Sequence, residues 1–176
     1  MTTAGRAPEP RGDESRGSRL WTIGHSTRSL EELIALLRAN DITHVADVRR
    51  FPGSRKYPHF NSDTLAAALT GAGIGYTHLP ELGGRRTPRP DSRHTGWRNA
   101  SFRAYADYMD TPDFAAGIAR LTELAGRERV AIMCSEAVWW RCHRSMIADW
   151  LVAHGWTVMH ITSSAAPTPH PVRAIG

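Results

Sequence analysis

Short apolar runs alternate with helix-like segments along the chain, and this alternation restricts the fold more than any other feature. Five apolar runs have the length and composition of buried strands, namely 20–24, 44–48, 74–79, 129–133 and 156–161. Strands that alternate with helices form a parallel sheet, because each helix returns the chain to the edge where the previous strand began. The sequence therefore predicts an α/β fold: a single domain with a mostly parallel five-stranded sheet and helices on both faces, in a Rossmann-like three-layer arrangement.

Capping residues mark where the helices begin. Ser29 and Glu32 form a capping-box sequence, and Thr111 followed by Pro112 is typical of a helix start. Asn61 or Ser62 precedes another helical segment. The predicted helices cover about 29–40, 62–71, 101–110, 112–125 and 143–154.

Length and composition bound the domain and its location. A chain of 176 residues fits one domain, predicted over 19–162, with a disordered tail at 1–18 and a flexible Pro-rich tail at 163–176. No apolar run approaches the ~20 residues that span a bilayer, and the polar start lacks a secretory signal. We therefore expect a cytoplasmic protein without a membrane partner, whose two cysteines are thiols or ligands. The sequence does not indicate an oligomeric state.

Positive charge is concentrated in the middle of the chain. Between positions 47 and 103 there are ten Lys and Arg residues against four acids, while the whole chain has a net charge of +5. This excess favours an anionic partner, either a small molecule such as a nucleotide or phosphate ester or a nucleic acid. A solvated basic face explains it equally well.

Polar clusters follow three of the predicted strands. They are residues 25–28 beginning with His25, Asp47 with Arg49 and Arg50, and residues 134–136. Ligands bind beyond the carboxyl ends of the strands in open α/β sheets. We therefore expect His25, Asp47 and Cys134 to lie in one cleft.

The strongest local signal is the segment from Cys134 to Arg144. A strand delivers Cys134 to its end, Glu136 follows, and Cys142, His143 and Arg144 stand at a helix start. A helix N-terminus favours anions and lowers thiol pKa values, so this place suits a reactive thiolate or an oxyanion held by arginine. The alternative for Cys134 is a small core residue.

A cysteine-dependent phosphatase fits this segment poorly. Six residues separate Cys134 from Arg141, one more than in the phosphate loop of those enzymes, and Trp140 stands where their arginine belongs. Glu136 would also repel a phosphate.

A metal site is a further alternative, with Cys134, Cys142 and His143 as candidate ligands and His25 as an additional candidate. The seven-residue gap between the cysteines is not a common zinc spacing. Adjacent Cys142 and His143 on a helix would also point in different directions. No P-loop or GxGxxG motif is present, so the sequence indicates no nucleotide cofactor.

Two loops supply candidate anion-binding residues. Asp47 with Arg49, Ser54 and Arg55 could position a hydroxyl or a metal-bound water beside arginines, or form a structural Asp–Arg pair. A second loop has Gly83 and Gly84 before two arginines, which permits close backbone approach to a ligand, although a surface turn explains it as well.

Five ordered motifs resemble a known family: TIGHSTR, DVRRFPGSR, YTHLPELGGRR, FRAYADYM and MCSEAVWWRCHRSMIADWL. Together they are similar to the bacterial and archaeal family catalogued as domain of unknown function 488, over about 20–161. The family has no securely assigned activity, so the resemblance supports the domain boundaries and names no reaction. It implies these motif positions: His25, Asp47, Arg49, Ser54, Arg55, Gly83, Gly84, Cys134, Glu136, Cys142, His143 and Arg144.

Our first hypothesis is an enzyme that acts on a phosphate-bearing ligand, a nucleotide or a nucleic-acid component. Arg49, Arg55 and Arg144 would hold the anion, Cys134 would be the nucleophile or a ligand, and Glu136 or His143 would move protons. One alternative is a non-catalytic basic nucleic-acid-binding module. Another is a metal- or redox-responsive protein that uses Cys134 and Cys142.

Overall fold

The computed structural model describes residues 18–53, 57–87, 89–94, 96–97 and 99–171. Its strands are β1 (Arg19–Gly24), β2 (His44–Asp47), β3 (Gly75–His78), β4 (Val130–Cys134), β5 (Thr157–Ile161) and β6 (Thr168–Pro169). They form one six-stranded sheet in the order β3-β2-β4-β1-β5-β6. The first five strands run parallel to their neighbours, and β6 pairs antiparallel with β5.

Five α-helices connect the strands: α1 (Leu30–Ala39), α2 (Ser62–Gly71), α3 (Ala100–Tyr108), α4 (Pro112–Ala125) and α5 (Arg144–Ala153). Short 3₁₀ turns lie at Pro58–Phe60, Pro80–Leu82 and Trp139–Arg141. None of the helices in the described part of the chain is long and apolar enough to cross a membrane.

Two hydrophobic clusters lie on opposite faces of the sheet, because successive residues of a strand point to opposite sides. Ala46 and Ile132 belong to the cluster that includes side chains of α3, α4 and α5. Their neighbours Val45 and Ala131 belong to the cluster that includes side chains of α1 and α2. The predicted α/β class, with a mostly parallel sheet and helices on both faces, is confirmed.

The predicted caps explain where two helices begin. The Ser29 side chain accepts a hydrogen bond from the Glu32 backbone N–H at 3.0 Å, and the Glu32 carboxylate accepts from the Ser29 N–H at 2.7 Å. Thr111 caps α4, with Pro112 as its first residue.

The sheet has six strands where the sequence predicted five. The added strand β6 lies in the segment that we predicted as a Pro-rich tail, and the adjacent His170 is only 5 % exposed. Strand β6 covers the edge of β5, and a proline is tolerated in an edge strand. Residues 172–176 and nearly all of the predicted N-terminal tail lie outside the described residues.

The loops that follow β1 and β4 are in direct contact. The His25 N–H donates to the Cys134 carbonyl at 2.9 Å, and the Ser26 N–H donates to the Ser135 carbonyl at 3.0 Å. A Cβ atom at Gly24 would collide with the carbonyl oxygen of Glu136. Only glycine therefore allows the end of β1 to lie this close to the loop after Cys134.

We predict that Gly24→Ala lowers the free energy of unfolding by about 1–3 kcal/mol, the usual cost of overpacking a buried contact. The matched control is Gly71→Ala, because a Cβ at the end of α2 meets no atom within 4 Å. The control should leave stability unchanged or raise it slightly. Urea unfolding of both variants measures the effect, and equal stabilities would show that the Gly24 contact is unimportant.

Candidate functional site

A cleft of about 610 Å³ lies beyond the carboxyl ends of β1, β2 and β4. It is lined by His25, Ser26, Thr27, Arg49, Arg50, Phe51, Gly53, Tyr57, Gly84, Arg85, Ser101, Phe102, Tyr105, Cys134, Ser135, Glu136, Ala137, Arg141, Cys142 and His143. Its position is the one that parallel α/β sheets use for ligands. The strand ends that we expected to converge do lie side by side.

Two free thiols meet at the floor of this cleft. The Sγ atoms of Cys134 and Cys142 are 2.9 Å apart, and the Cys142 thiol donates a hydrogen bond to Cys134. Cys134 ends strand β4, while Cys142 has an extended backbone two residues before α5. The N–H of Arg144, the first residue of α5, points to the Cys142 Sγ at 3.5 Å. The thiols therefore lie at the positive end of a helix dipole.

Cys134 is the more acidic of the two thiols. Burial raises its pKa, but the hydrogen bond from Cys142 and the charge of Arg144 outweigh burial and lower the pKa to about 7. The same hydrogen bond, together with burial and the charge on Cys134, raises the pKa of Cys142. The pair therefore holds one proton on Cys142 and favours a thiolate on Cys134.

His143 contacts the Cys142 thiol through Nδ1, the ring nitrogen that carries no proton. Its Nε2 donates to the Val48 carbonyl at 2.8 Å, so Nδ1 has a free lone pair, 3.3 Å from the Cys142 Sγ. Burial lowers the pKa of His143 to about 4, which keeps the ring neutral. The sequence placed Cys142 and His143 on one helix with diverging side chains, and this was wrong because Cys142 lies before the helix in extended conformation.

Arg144 is buried below the cleft and does not line it. The side chain is 1 % exposed, and its Nη2 donates to the carbonyl oxygens of Glu136 at 3.0 Å and Ala137 at 3.4 Å. Among the described residues it pairs with no carboxylate. Arg144 therefore holds the loop after Cys134 and acts electrostatically on the thiols, while the exposed side chain of Glu136 lines the cleft.

In the described part of the chain, Asp47 forms a structural ion pair with Arg49. It is fully buried, and its two oxygens accept from Arg49 Nε at 2.9 Å, Arg49 Nη2 at 2.7 Å and the Tyr76 hydroxyl at 2.6 Å. Burial and the Asp47 charge raise the pKa of Tyr76, so that hydroxyl stays a donor. The arrangement matches the structural Asp–Arg pair, one of the two alternatives considered from the sequence.

His25 orients Arg49 at the wall of the cleft. Its Nδ1 donates to the Ser26 carbonyl at 3.0 Å, which leaves the Nε2 lone pair facing Arg49 Nη1 at 3.4 Å. Burial against the Phe60 ring, 4.2 Å away, lowers the pKa of His25 to about 4. A neutral His25 therefore lies beside the one guanidinium nitrogen of Arg49 that Asp47 does not bind.

The predicted glycine pair packs tightly against neighbouring residues. A Cβ at Gly83 would collide with the backbone of Arg50, and one at Gly84 would press on the His143 ring. Gly84 lines the cleft, whereas Gly83 does not. The candidates Ser54 and Arg55 lie outside the described residues.

No metal site is visible in the parts of the chain that the structure describes. These residues contain no group of three or more His, Cys, Asp or Glu side chains that could hold a metal ion. The two thiols and His143 instead bind one another and the Val48 carbonyl.

Several residues that line the cleft were not among the predicted site residues. Arg50, Arg85 and Arg141 add positive charge, and Phe102 adds aromatic surface from α3, whereas the Tyr105 side chain is only 1 % exposed. The basic excess between 47 and 103 was a signal for the first two arginines. Tyr105 belongs to the core on this face of the sheet, and its hydroxyl donates to the Leu82 carbonyl at 2.7 Å.

A second polar network packs against Trp139, which lies in the loop after Cys134. His170 Nε2 lies 2.7 Å from Asp149 Oδ1, His170 Nδ1 lies 2.9 Å from His160 Nε2, and His160 Nδ1 lies 2.6 Å from the Thr22 hydroxyl. The Trp139 ring stacks on His160 at 4.3 Å. Burial lowers the pKa of His160 to about 3. The network links the C-terminal segment to the loop after Cys134.

The buried histidines predict acid-sensitive stability. His25, His143 and His160 have folded pKa values of about 4, 4 and 3, below the ordinary 6.5, so between pH 6.5 and 4 the unfolded chain binds more protons. The free energy of unfolding should fall as the pH falls through this window, by at most about 1.4 kcal/mol per pH unit for each histidine.

Urea unfolding across that pH range measures the slope. His25→Gln should flatten it, while His154→Gln, at an exposed position, should leave it unchanged. A free energy of unfolding that stays constant or rises as the pH falls would contradict the conclusion that the buried histidine rings are neutral.

Comparison with known proteins supports the resemblance seen in the motifs. The sequence profile of a family described as "Domain of unknown function DUF488" matches residues 29–151, a segment that contains both cysteines. No curated protein and no solved structure matches the chain. Because the matched segment covers well over half of the sequence, the chain belongs to the DUF488 family.

Proposed function

We propose that this protein is an enzyme that acts on a phosphate-bearing ligand, a nucleotide or a nucleic-acid component, with Cys134 as its nucleophile. One observation carries the proposal: the buried Cys134 thiol, whose pKa is lowered to about 7, borders a cleft lined by arginines. At neutral pH a large share of such a thiol is ionised, and the thiolate is the reactive form.

The charge of the cleft supports an anionic ligand. Among the described residues, its lining includes Arg49, Arg50, Arg85 and Arg141 but one carboxylate, Glu136. Arginine side chains bind phosphate oxygens through paired N–H groups, with better geometry than lysine offers. The imbalance therefore favours a ligand that carries phosphate.

The volume and aromatic content of the cleft support a ligand of nucleotide size. A volume of about 610 Å³ lies within the range of small-molecule sites. The half-buried Phe102 lines the cleft, and the Phe51 ring is 63 % exposed at its rim. An aromatic ring beside arginines is a surface on which a base can stack.

The roles of the site residues follow from these contacts. The Cys134 thiolate attacks the electrophilic atom of the ligand, and the bond to the leaving group breaks as the bond to sulfur forms. Glu136 is the carboxylate available in the cleft to take a proton from the water that releases the product. Asp47 and His25 are positioning residues, because both act on Arg49 and Asp47 does not line the cleft.

The proposal predicts fast, ligand-sensitive alkylation of Cys134. At pH 6.5 iodoacetamide should modify it roughly tenfold faster than a free cysteine peptide, because more of the thiol is ionised. Cys134→Ser should leave only slow labelling of Cys142, and pyrophosphate should protect the wild type. Glu136→Gln should speed the reaction, since removing a nearby negative charge lowers the thiol pKa.

Arginine variants show whether the cleft holds the anion. Arg85→Gln or Arg141→Gln should weaken pyrophosphate protection by about tenfold, the cost of one lost charge-assisted hydrogen bond. Arg127→Gln removes the same charge at an exposed position before β4, at the opposite edge of the sheet, and should have no effect. Alkylation that occurs only after unfolding would contradict a nucleophilic Cys134.

Nucleic-acid binding separates this proposal from the basic binding module. We expect a mononucleotide to protect Cys134 and a duplex to bind no more tightly than the mononucleotide, because the cleft admits one small ligand. A module that neutralises several phosphates would instead lose affinity with salt, with a slope of roughly −0.9 per contact on duplex DNA. Tight, salt-sensitive duplex binding that is unchanged in Cys134→Ser and Arg85→Gln would favour the module.

A further inference from the structure

In the proposed nucleophilic reaction the second thiol acts only as the hydrogen-bond donor that lowers the pKa of Cys134. Attack by Cys134 needs one sulfur, yet the Cys142 Sγ lies 2.9 Å from it, and both side chains line the cleft. The hydrogen bond to Cys134 and burial keep Cys142 protonated, because they raise its pKa. A protonated thiol in contact with a thiolate is the usual arrangement of an attacking and a resolving cysteine.

We propose that Cys134 and Cys142 form a reversible dithiol–disulfide couple that is oxidised by a peroxide and reduced by a small thiol. This activity does not depend on a phosphate-bearing ligand, so it stands apart from the function proposed above.

The positions of the two sulfur atoms favour bond formation. A disulfide bond is about 2.0 Å long, so the Sγ atoms need to approach by only about 1 Å. Cys142 is extended and precedes α5, and its carbonyl accepts from the Ser145 N–H at the start of the helix. Rotation about its Cα–Cβ bond moves the Sγ and leaves this backbone hydrogen bond intact. The short turn Trp139–Arg141 sets the span between the two residues.

The chemistry balances with a peroxide as the named oxidant. The Cys134 thiolate attacks one peroxide oxygen, the O–O bond breaks, and hydrogen peroxide leaves a sulfenic acid and hydroxide. The Cys142 sulfur then attacks the Cys134 Sγ, oriented by His143 Nδ1, which lies 3.3 Å from the Cys142 Sγ. The S–O bond breaks, and the departing hydroxide takes the Cys142 proton and leaves as water. In sum, two thiols and one hydrogen peroxide give one disulfide and two waters.

His143 is a positioning residue in the second step alone. Its Nε2–H bond to the Val48 carbonyl holds the Nδ1 lone pair towards the Cys142 thiol. A ring held in this tautomer can accept a hydrogen bond from Cys142 and orient its sulfur once Cys134 is oxidised.

The test is to treat the reduced full-length protein with hydrogen peroxide at pH 7 and quench it over time. Intact mass and thiol titration should show loss of two hydrogens and both thiols, roughly tenfold faster than in the urea-unfolded protein. Dithiothreitol or glutathione should restore both thiols. Circular dichroism and thermal unfolding check that each variant is folded.

Three variants separate the steps. Cys142→Ser should stop at a sulfenic acid on Cys134 that dimedone traps, whereas Cys134→Ser should resist the peroxide. His143→Gln should form the sulfenic acid at the wild-type rate and close the disulfide at least about tenfold more slowly. A purely structural role for His143 would slow both steps together.

Other outcomes overturn the proposal. The couple would be excluded if the folded protein lost its thiols no faster than the unfolded chain. It would also be excluded if disulfides formed only between two molecules, or if the Cys142→Ser variant were oxidised like wild type. Failure of the pyrophosphate protection assay would leave this result unaffected, so the two proposals fail separately.

Discussion

The buried guanidinium of Arg144 organises the site. A buried charge is costly unless partners compensate for it, and in the described structure its bonds go to two neutral carbonyl groups of the loop after Cys134. Arg144 also begins helix α5, where the positive end of the helix dipole disfavours a cation. Both positive features act on the same thiols, and a negative charge on Cys134 offsets both. The loop conformation and the acidity of the thiol therefore depend on one interaction.

Arg49, a second buried arginine, differs from Arg144 in its partners. Its charge is matched by Asp47, and the pair is fixed further by Tyr76 and the cleft-side His25. The pair is close to neutral, so the long-range field in the cleft comes mainly from Arg50, Arg85 and Arg141, of which the last two are exposed. Salt screens exposed charges and leaves Arg144 largely unaffected. Salt should therefore weaken the attraction for an anion while the thiol acidity persists.

The sequence predicted the parallel strands, the caps at Ser29 and Thr111, and the meeting of polar clusters at one edge of the sheet. These features depend on local pattern and on a general rule for α/β folds. It could not show which polar side chains are buried. The burial of Asp47 and Arg144 results from packing between elements that are far apart in the sequence. The Cys134–Cys142 contact depends on a 3₁₀ turn and on the extended backbone of Cys142, and neither produces a periodic sequence pattern. Strand β6 was missed because two residues beside a proline lack a strand pattern.

The asymmetry between the two thiols also fixes the direction of thiol exchange at this site. In exchange reactions the thiol with the lower pKa is the better leaving group. Cys134 has a pKa of about 7, and the pKa of Cys142 is raised, so an incoming thiolate that attacks the Cys142 sulfur expels Cys134 as its stabilised anion. Arg144 and the N-terminus of α5 stabilise that anion before any ligand binds. The same electrostatics that lower the pKa of Cys134 thus favour its release, so a disulfide of the proposed couple would be readily reversed.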